Sequence, residues 1–348
     1  VFQVESRAQM QMLPRLKPRC FDDLVIEVAL VRPGPLQGGM VHPYLRRRRG
    51  EEPVTYAHPN MQRALKDTLG IIVFQEQVLM VAMDVAGFTA GESELLRRAM
   101  GRKRSHEEME RLRERFIRGA MVNGVSRDQA DATYDQLSAF AGFGFNRAHA
   151  ASFALLSYVS AWLKRYHPAP FYVGLLNAQP MGFYAPGVVV EDAKLHGVRI
   201  LPVDIEVSQQ VCTLEGEAIR LGLNYVHGIG PELQEAIVAA RGEGFGGLEA
   251  LCRRVPIGRR VLEGLIMAGG CDGWGERRRD LLWRLARVGE PTLLDDLPGV
   301  ALPVPSDNER LAIEYGVLGV SPGASPASLF RRALHKAGAI SSEMLKMA

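Results

Sequence analysis

The sequence predicts a mainly α chain: a long helical first part, then two glycine turns set between helices, with only short β pieces. Three observations carry this. Apolar residues recur at helical spacing, as in Phe21-Asp-Asp-Leu-Val-Ile-Glu-Val-Ala-Leu30. Ser105 with Glu108, and Ser126 with Gln129, have the spacing of capping boxes. Gly228-Ile-Gly230 and Gly269-Gly270 each stand between an apolar stretch and an amphipathic helix.

Taken in order, residues 1–30 read as a short strand followed by helices. Val1-Phe-Gln-Val has no initiator Met and reads like the middle of a strand, as in a piece of a longer protein. The prolines of Arg32-Pro-Gly-Pro-Leu36 end the helix before them. Gly38-Gly39 opens a loop, and Arg46-Arg-Arg-Arg49 is a basic block, either solvated or facing a polyanion. Leu69-Gly-Ile-Ile-Val-Phe74 is a short β-type run, after which Gln75-Glu-Gln77 opens a helix over 78–86. A helix follows Ser105 to about Val122, and another follows Ser126 to Phe140. Gly142-Phe-Gly-Phe-Asn-Arg-Ala-His149 is a tight loop before a helix over 150–166. Phe153, Leu156, Tyr158 and Trp162 of that helix are expected in the core. Beyond it come a helix over 188–196, a strand over 198–202 and a hairpin over 212–223. Past Glu290 a Pro-containing linker leads to helices at about 308–315 and 327–336.

Composition narrows the function. The chain has 348 residues, 47% hydrophobic and 23% charged, as in a soluble protein of two or three domains. Its net charge is only +3, so any polyanion surface must be local. Residues 1–120 hold 20 basic against 15 acidic residues, a local excess of +5. Cys20, Cys212, Cys252 and Cys271 form no C-x-x-C pair and no His-rich spacing. This argues against a disulfide scaffold or zinc site and for a reducing cytoplasm. No signal peptide opens the sequence, and the nearly apolar run 150–163 is too short to span a bilayer.

Two places can carry chemistry. Glu94-Leu-Leu-Arg-Arg-Ala-Met-Gly-Arg-Lys-Arg-Ser105 puts Arg97, Arg98, Arg102, Lys103 and Arg104 within eight residues. Isolated buried cations are too costly, so these side chains either form a solvated face or meet a phosphate chain. The second place is Leu223-Asn-Tyr-Val-His-Gly-Ile-Gly-Pro-Glu-Leu-Gln-Glu-Ala-Ile237, the pattern of a helix-hairpin-helix. There a glycine turn exposes backbone N–H groups at a helix N-terminus, where a phosphate can bind. Arg260-Val-Leu-Glu-Gly-Leu-Ile-Met-Ala-Gly-Gly-Cys-Asp272, followed by Arg277-Arg-Arg-Asp-Leu-Leu282, reads as a second, divergent copy. Asp22-Asp23 sits at a helix start and reads as a cap.

Five motifs in one order resemble a known family: Phe2-Gln-Val-Glu-Ser6, Arg32-Pro-Gly-Pro35, Phe74-Gln-Glu-Gln77, Leu96-Arg-Arg-Ala-Met-Gly101 and Phe143-Gly-Phe-Asn-Arg-Ala-His149. Together they resemble the bacterial family C DNA polymerases, the alpha subunit of DNA polymerase III. Met40-Val-His-Pro-Tyr-Leu45 and Leu176-Asn-Ala-Gln-Pro-Met-Gly-Phe-Tyr-Ala-Pro186 are similar to its error-prone, ImuC-type branch. Val190-Glu-Asp-Ala193 and His196-Gly-Val198 fit the same branch. The resemblance runs over about residues 1–320.

That resemblance implies a layout. Residues 1–40 would be the edge of the palm, 41–205 all-helical fingers, 206–290 a tandem helix-hairpin-helix domain, and 291–348 a linker towards an OB domain. The activity implied is template-directed DNA synthesis in damage-induced mutagenesis, using deoxynucleoside triphosphates and two Mg²⁺ ions. The palm aspartates that hold the metal would precede Val1, so no metal ligand or catalytic residue is expected here and the chain alone would be inactive. Arg97 and Arg98, with Lys103 in support, would face the triphosphate. Asn146 and Arg147 would shape the nucleotide pocket, and His149 would pack beside the sugar and exclude a 2′-OH. Gly228, Gly230, Gly269 and Gly270 would hold DNA phosphates. Primer–template DNA, a sliding clamp and mutagenesis accessory proteins are the implied partners, with no membrane. Ala148 departs from the family's usual Ser, and Ser328-Leu-Phe330 has only the hydrophobic half of a clamp-binding motif. A non-catalytic DNA-binding module and a helical scaffold for partner proteins are the alternatives.

Overall fold

The structure is a computed structural model that describes residues 1–31, 41–101, 106–141, 145–182, 184–287, 303–340 and 344. Arg32-Pro-Gly-Pro35, Gly38-Gly39, Lys103, Ser105 and Gly142-Phe-Gly144 lie outside the described residues, as do Arg102 and Arg104. Helices dominate, with one small three-stranded sheet among the described residues. The chain divides into two compact units, Val1–Trp162 and Leu163–Ala348.

The first unit opens with turns rather than the expected strand. Ser6 caps α1 (Arg7–Leu16), and α2 (Phe21–Leu30) follows. The expected loop at the basic block is a helix instead, α3 (Val41–Arg49), with Tyr44 and Leu45 buried. Its four arginines are all paired. Arg46 and Arg47 meet Glu52, Arg49 meets Glu51, and Arg48 meets Asp23 at 2.6 Å. Asp23 also accepts from the amides of Arg19 and Cys20. Burial alone would raise its carboxyl, but Arg48 and those amides bring it down to about 2. Arg48 therefore ties α2 to α3, while the other three arginines pair with the acids just after α3.

Helix α4 (Gln62–Leu65) leads to α5 (Gln75–Ala86), the centre of this unit. Around it pack α6 (Ala90–Gly101), α7 (His106–Val122) and α8 (Arg127–Ala141). Close approach explains Gly119: a Cβ there would lie 2.0 Å from the Ala86 carbonyl oxygen. The end of α5 leaves carbonyls unpaired, and α7 supplies the donors. Arg115 reaches the carbonyls of Ala86 and Gly87, and Asn123 reaches that of Val85. Ser126 caps α8 through the amide of Gln129, as its spacing predicts.

Helix α9 (Arg147–Tyr166) begins three residues earlier than expected. Only part of its predicted core face is buried. Phe153 packs against the cluster of α1–α3, but Leu156, Tyr158 and Trp162 are 55%, 53% and 44% exposed. Apolar spacing identified the helix correctly but not which stripe it covers.

In the second unit α10 (Pro168–Asn177) and α11 (Pro186–Leu195) pack on a sheet of β1 (Arg199–Leu201), β2 (Thr213–Glu215) and β3 (Ala218–Arg220). The predicted hairpin, β2–β3, is antiparallel, and β1 joins β3 in parallel. Four helices follow: α12 (Pro231–Ala240), α13 (Leu248–Arg254), α14 (Arg259–Met267) and α15 (Arg278–Arg287). Ile229, Ile237, Leu248, Leu262, Leu265 and Leu281 share one core with the sheet. Buried Arg241 donates to the carbonyls of Ile205, Val207 and Ser208, so it anchors a loop. Helices α16 (Asp307–Leu318) and α17 (Pro326–Lys336) close the described chain. No helix is long and apolar enough to cross a membrane among the described residues.

Candidate nucleotide and nucleic-acid interface

Arg97 and Arg98 lie in the last turns of α6. Leu96 and Ala99 are buried against the core of the first unit, which turns the two arginines outward. Glu94 holds both. Arg97 donates from Nε and Nη2 to its two oxygens at 2.8 and 2.7 Å, and Arg98 Nε donates at 2.8 Å. These bonds hold the Glu94 carboxyl well below the usual range, at about 2. Hydrogen bonding to Glu94 raises Arg97 above the ordinary arginine value despite partial burial, and the charges of Glu94 and Glu76 add to it. Among the described residues Arg97 Nη1 and the two Nη atoms of Arg98 take no acceptor, so they can meet a phosphate with their direction already set.

The other predicted group lies at the start of α9. Phe145 forms a parallel bridge with Phe74, and its carbonyl accepts from the amide of Gln75 at 3.0 Å. Asn146 caps the helix, its Oδ1 accepting from the His149 amide at 3.0 Å. His149 is exposed, and its ring stands edge-on to Phe145 and Phe153, with centroids 5.0 and 4.5 Å away. Phe2 stacks on Phe153 at 5.5 Å. An imidazole held by two aromatic rings has little freedom to turn away. Arg147 is already engaged: Nη1 lies 3.3 Å from Asp67, Nη2 lies 3.6 Å from Asp22, and the guanidinium sits 5.5 Å from the Phe74 ring centroid.

Sequence reasoning missed Glu76. It occupies the first turn of α5, and both its oxygens accept from the Arg147 amide, at 3.1 and 3.0 Å. It is thus bonded to the start of α9 and also within the field of Arg97. Its neighbour Gln77 is structural. Gln77 Oε1 accepts from the amides of Val73 and Phe74, and Nε2 donates to Ala64 and Thr68. The signal available was the Phe-Gln-Glu-Gln string itself: an acid at the second position of a helix is well placed for an N-terminal partner.

The two glycine turns of the second unit differ. Gly228 has φ +92°, and a Cβ there would stand 3.2 Å from Val261 Cγ2. Ile229 is buried and pins the turn, while Gly228 and Gly230 are exposed. Gly230 is the N-cap of α12. Among the described residues, no acceptor takes the N–H of Gly228 or Gly230. They lie with the open N-terminus of a ten-residue helix, a fit for an anion. Gly269 and Gly270 correct the expectation. Both are buried, and their N–H groups already donate to the carbonyls of Ile266 at 3.0 Å and Leu265 at 2.8 Å. They cannot present those N–H groups to a phosphate. Among the described residues no group of three His, Cys, Asp or Glu side chains could hold a metal ion.

Comparison with known proteins follows this geometry. Residues 1–124 match the bacterial DNA polymerase III alpha subunit finger domain. Residues 197–281 match a helix-hairpin-helix motif. Along 99% of its length the chain is 47% identical to an error-prone DNA polymerase of Corynebacterium efficiens, and 48% identical to that of Mycobacterium tuberculosis H37Rv. Along 98% of its length it is 49% identical to an error-prone DNA polymerase of Nocardia farcinica. The chain spans about one third of the length of these relatives, 32%, 32% and 31% respectively.

Proposed function

We propose that this chain, which is similar to bacterial error-prone DNA polymerases over about a third of their length, supplies the nucleotide-facing fingers of such an enzyme and part of its grip on duplex DNA. The whole protein would carry out template-directed DNA synthesis across damage, in the cytoplasm, on primer–template DNA with deoxynucleoside triphosphates. Sliding-clamp and accessory proteins would be its partners. Mg²⁺ would be held by palm carboxylates outside this chain.

The observation that carries this reading is the arginine pair. Arg97 and Arg98 share one carboxylate and are turned outward by the buried Leu96 and Ala99 of the same helix, which fixes their direction. A triphosphate gains charge on its leaving group as the bond breaks, and preoriented cations stabilise that charge. Lys103 would support them, while Asn146 and Arg147 would shape the pocket. His149, edge-on to Phe145 and Phe153, would stand against the sugar and exclude a 2′-OH. Gly228 and Gly230 would meet a phosphate of the duplex.

The test is nucleotide incorporation by the whole polymerase with Arg97→Ala and Arg98→Ala. Each is expected to cut kcat/KM for a matched nucleotide by at least tenfold, or about 1.4 kcal/mol. Unchanged incorporation would remove the triphosphate role. Duplex binding by this chain should weaken steeply with salt. Duplex affinity in the whole protein that ignores a matching nucleotide would favour a non-catalytic DNA-binding module instead.

A further inference from the structure

Glu76 is placed between the two groups of proposed nucleotide-binding residues. An α-helix leaves its first N–H groups without partners, and its N-terminus favours negative charge. At α9 two of those groups are satisfied by different elements. Asn146 serves the His149 amide from within the same turn, while Glu76 serves the Arg147 amide from α5, 71 residues away in sequence. The two caps do different work. Asn146 closes the helix locally and would do so wherever α9 pointed. Glu76 fixes where α9 starts relative to α5. Its carboxylate also lies in the first turn of α5, so it stands at the N-termini of two helices. Arg97, on a third helix, feels the same charge.

We propose that Glu76 is a positioning residue for sugar selection: it touches no nucleotide, but sets the start of α9 and with it the stance of the His149 ring. The inference rests on the reading of Arg97 and His149 given above. His149 is two residues beyond Arg147, and its ring neighbours are Phe145, just before α9, and Phe153, within it. Releasing the Arg147 amide leaves the Gln75–Phe145 hydrogen bond and the Asn146 cap intact, so the helix persists while its first turn gains freedom. A shift of a few tenths of an ångström there moves the ring against a sugar, and small misplacements in a site have large kinetic effects.

The experiment uses the whole polymerase, with Glu76→Ala and Glu76→Gln. Incorporation of a matched deoxynucleotide and of the corresponding ribonucleotide is measured opposite one template base, with thermal melting as a folding control. Glu76→Ala is expected to lower the deoxy-to-ribo ratio of kcat/KM by about tenfold and to raise KM for the deoxynucleotide. Glu76→Gln keeps an oxygen that accepts from the Arg147 amide and is expected to hold the ratio within about twofold of the parent. An unchanged ratio in a folded Glu76→Ala protein overturns the inference. Should Glu76→Ala not fold, Glu76→Asp keeps the charge but withdraws the carboxylate by one methylene. A lowered ratio there supports the role and an unchanged one removes it. Arg97→Ala and His149→Ala run in parallel. If neither changes incorporation or the ratio, the nucleotide-site reading itself fails. If they act and the Glu76 variants do not, only the positioning role fails.

Discussion

Gly228-Ile229-Gly230 and Gly269-Gly270 use nearly the same backbone conformation for opposite ends. Gly228 has φ +92° and Gly269 has φ +89°, a region that side chains with a Cβ rarely adopt. In the first turn the chain reverses at the surface, with buried Ile229 as its anchor and two N–H groups left open. In the second it reverses inside the core. There Gly270 donates to Leu265 and its carbonyl accepts from Ile205 at 2.7 Å, so the turn stitches α14 to the loop between β1 and β2. A glycine pattern states what the backbone must do. It does not state which way the released polar groups face.

The sharpest way to break this contrast is by thiol chemistry. Cys271 adjoins the second turn and is 1% exposed, and burial pushes its thiol up, so it should stay protonated and unreactive until the turn opens. Cys20 is exposed. An alkylating reagent should modify Cys20 faster than Cys271 by on the order of a thousandfold, read by mass spectrometry over time. Comparable rates would mean the second turn is not closed.

Stability gives the next largest effect. A Cβ on Gly270 would lie 2.4 Å from Leu265 Cδ1 and 3.1 Å from the Leu265 carbonyl oxygen. Gly270→Ala should therefore cost about 2–3 kcal/mol in denaturant unfolding. Parent-like unfolding would place open space where the structure has none. DNA affinity sharpens the comparison further. Gly228→Ala should weaken duplex binding about tenfold at fixed salt, because the strained turn can no longer hold its N–H groups in place. Gly269→Ala, with the same backbone strain and a Cβ that would run into the Arg278 guanidinium and the Asp272 carboxylate, should lower stability by about 2 kcal/mol and leave the affinity of the folded protein unchanged. Equal losses of affinity would restore a phosphate role to the second turn. The smallest effect is expected at Gly230, where φ is −74° and a Cβ would meet nothing within 4 Å. Gly230→Ala should change stability by less than about 0.5 kcal/mol, and isothermal titration with duplex should show a weaker loss than Gly228→Ala. A loss exceeding that of Gly228→Ala would move the phosphate to the helix side of the turn.

Much of the local structure was legible from residues a few positions apart. Ser126 serves the Gln129 amide, Pro231 follows Gly230 into α12, and the antiparallel hairpin lies between residues 212 and 223 where its strand residues predict it. Helical spacing found α5, α7, α8 and α9, because a 3.6-residue period depends on neighbours in the same segment. The arginines of α3 were legible as a charged block but not as partners of Asp23, Glu51 and Glu52. Exposure of Leu156, Tyr158 and Trp162 was likewise out of reach, because an apolar stripe does not identify what covers it.

By itself the sequence determined the helices, their caps, the turns that require glycine, and the ordered motifs in which this chain resembles error-prone DNA polymerases. The helices, caps and turns depend on backbone sterics and hydrogen bonds over one to four residues. Tertiary structure decided that Glu76 meets the Arg147 amide, that Arg48 is spent on Asp23, and that one glycine turn is open while the other is shut. The physical reason is that burial and charge pairing are set by whatever segment arrives from far along the chain, and a side chain's local neighbours do not encode that arrival.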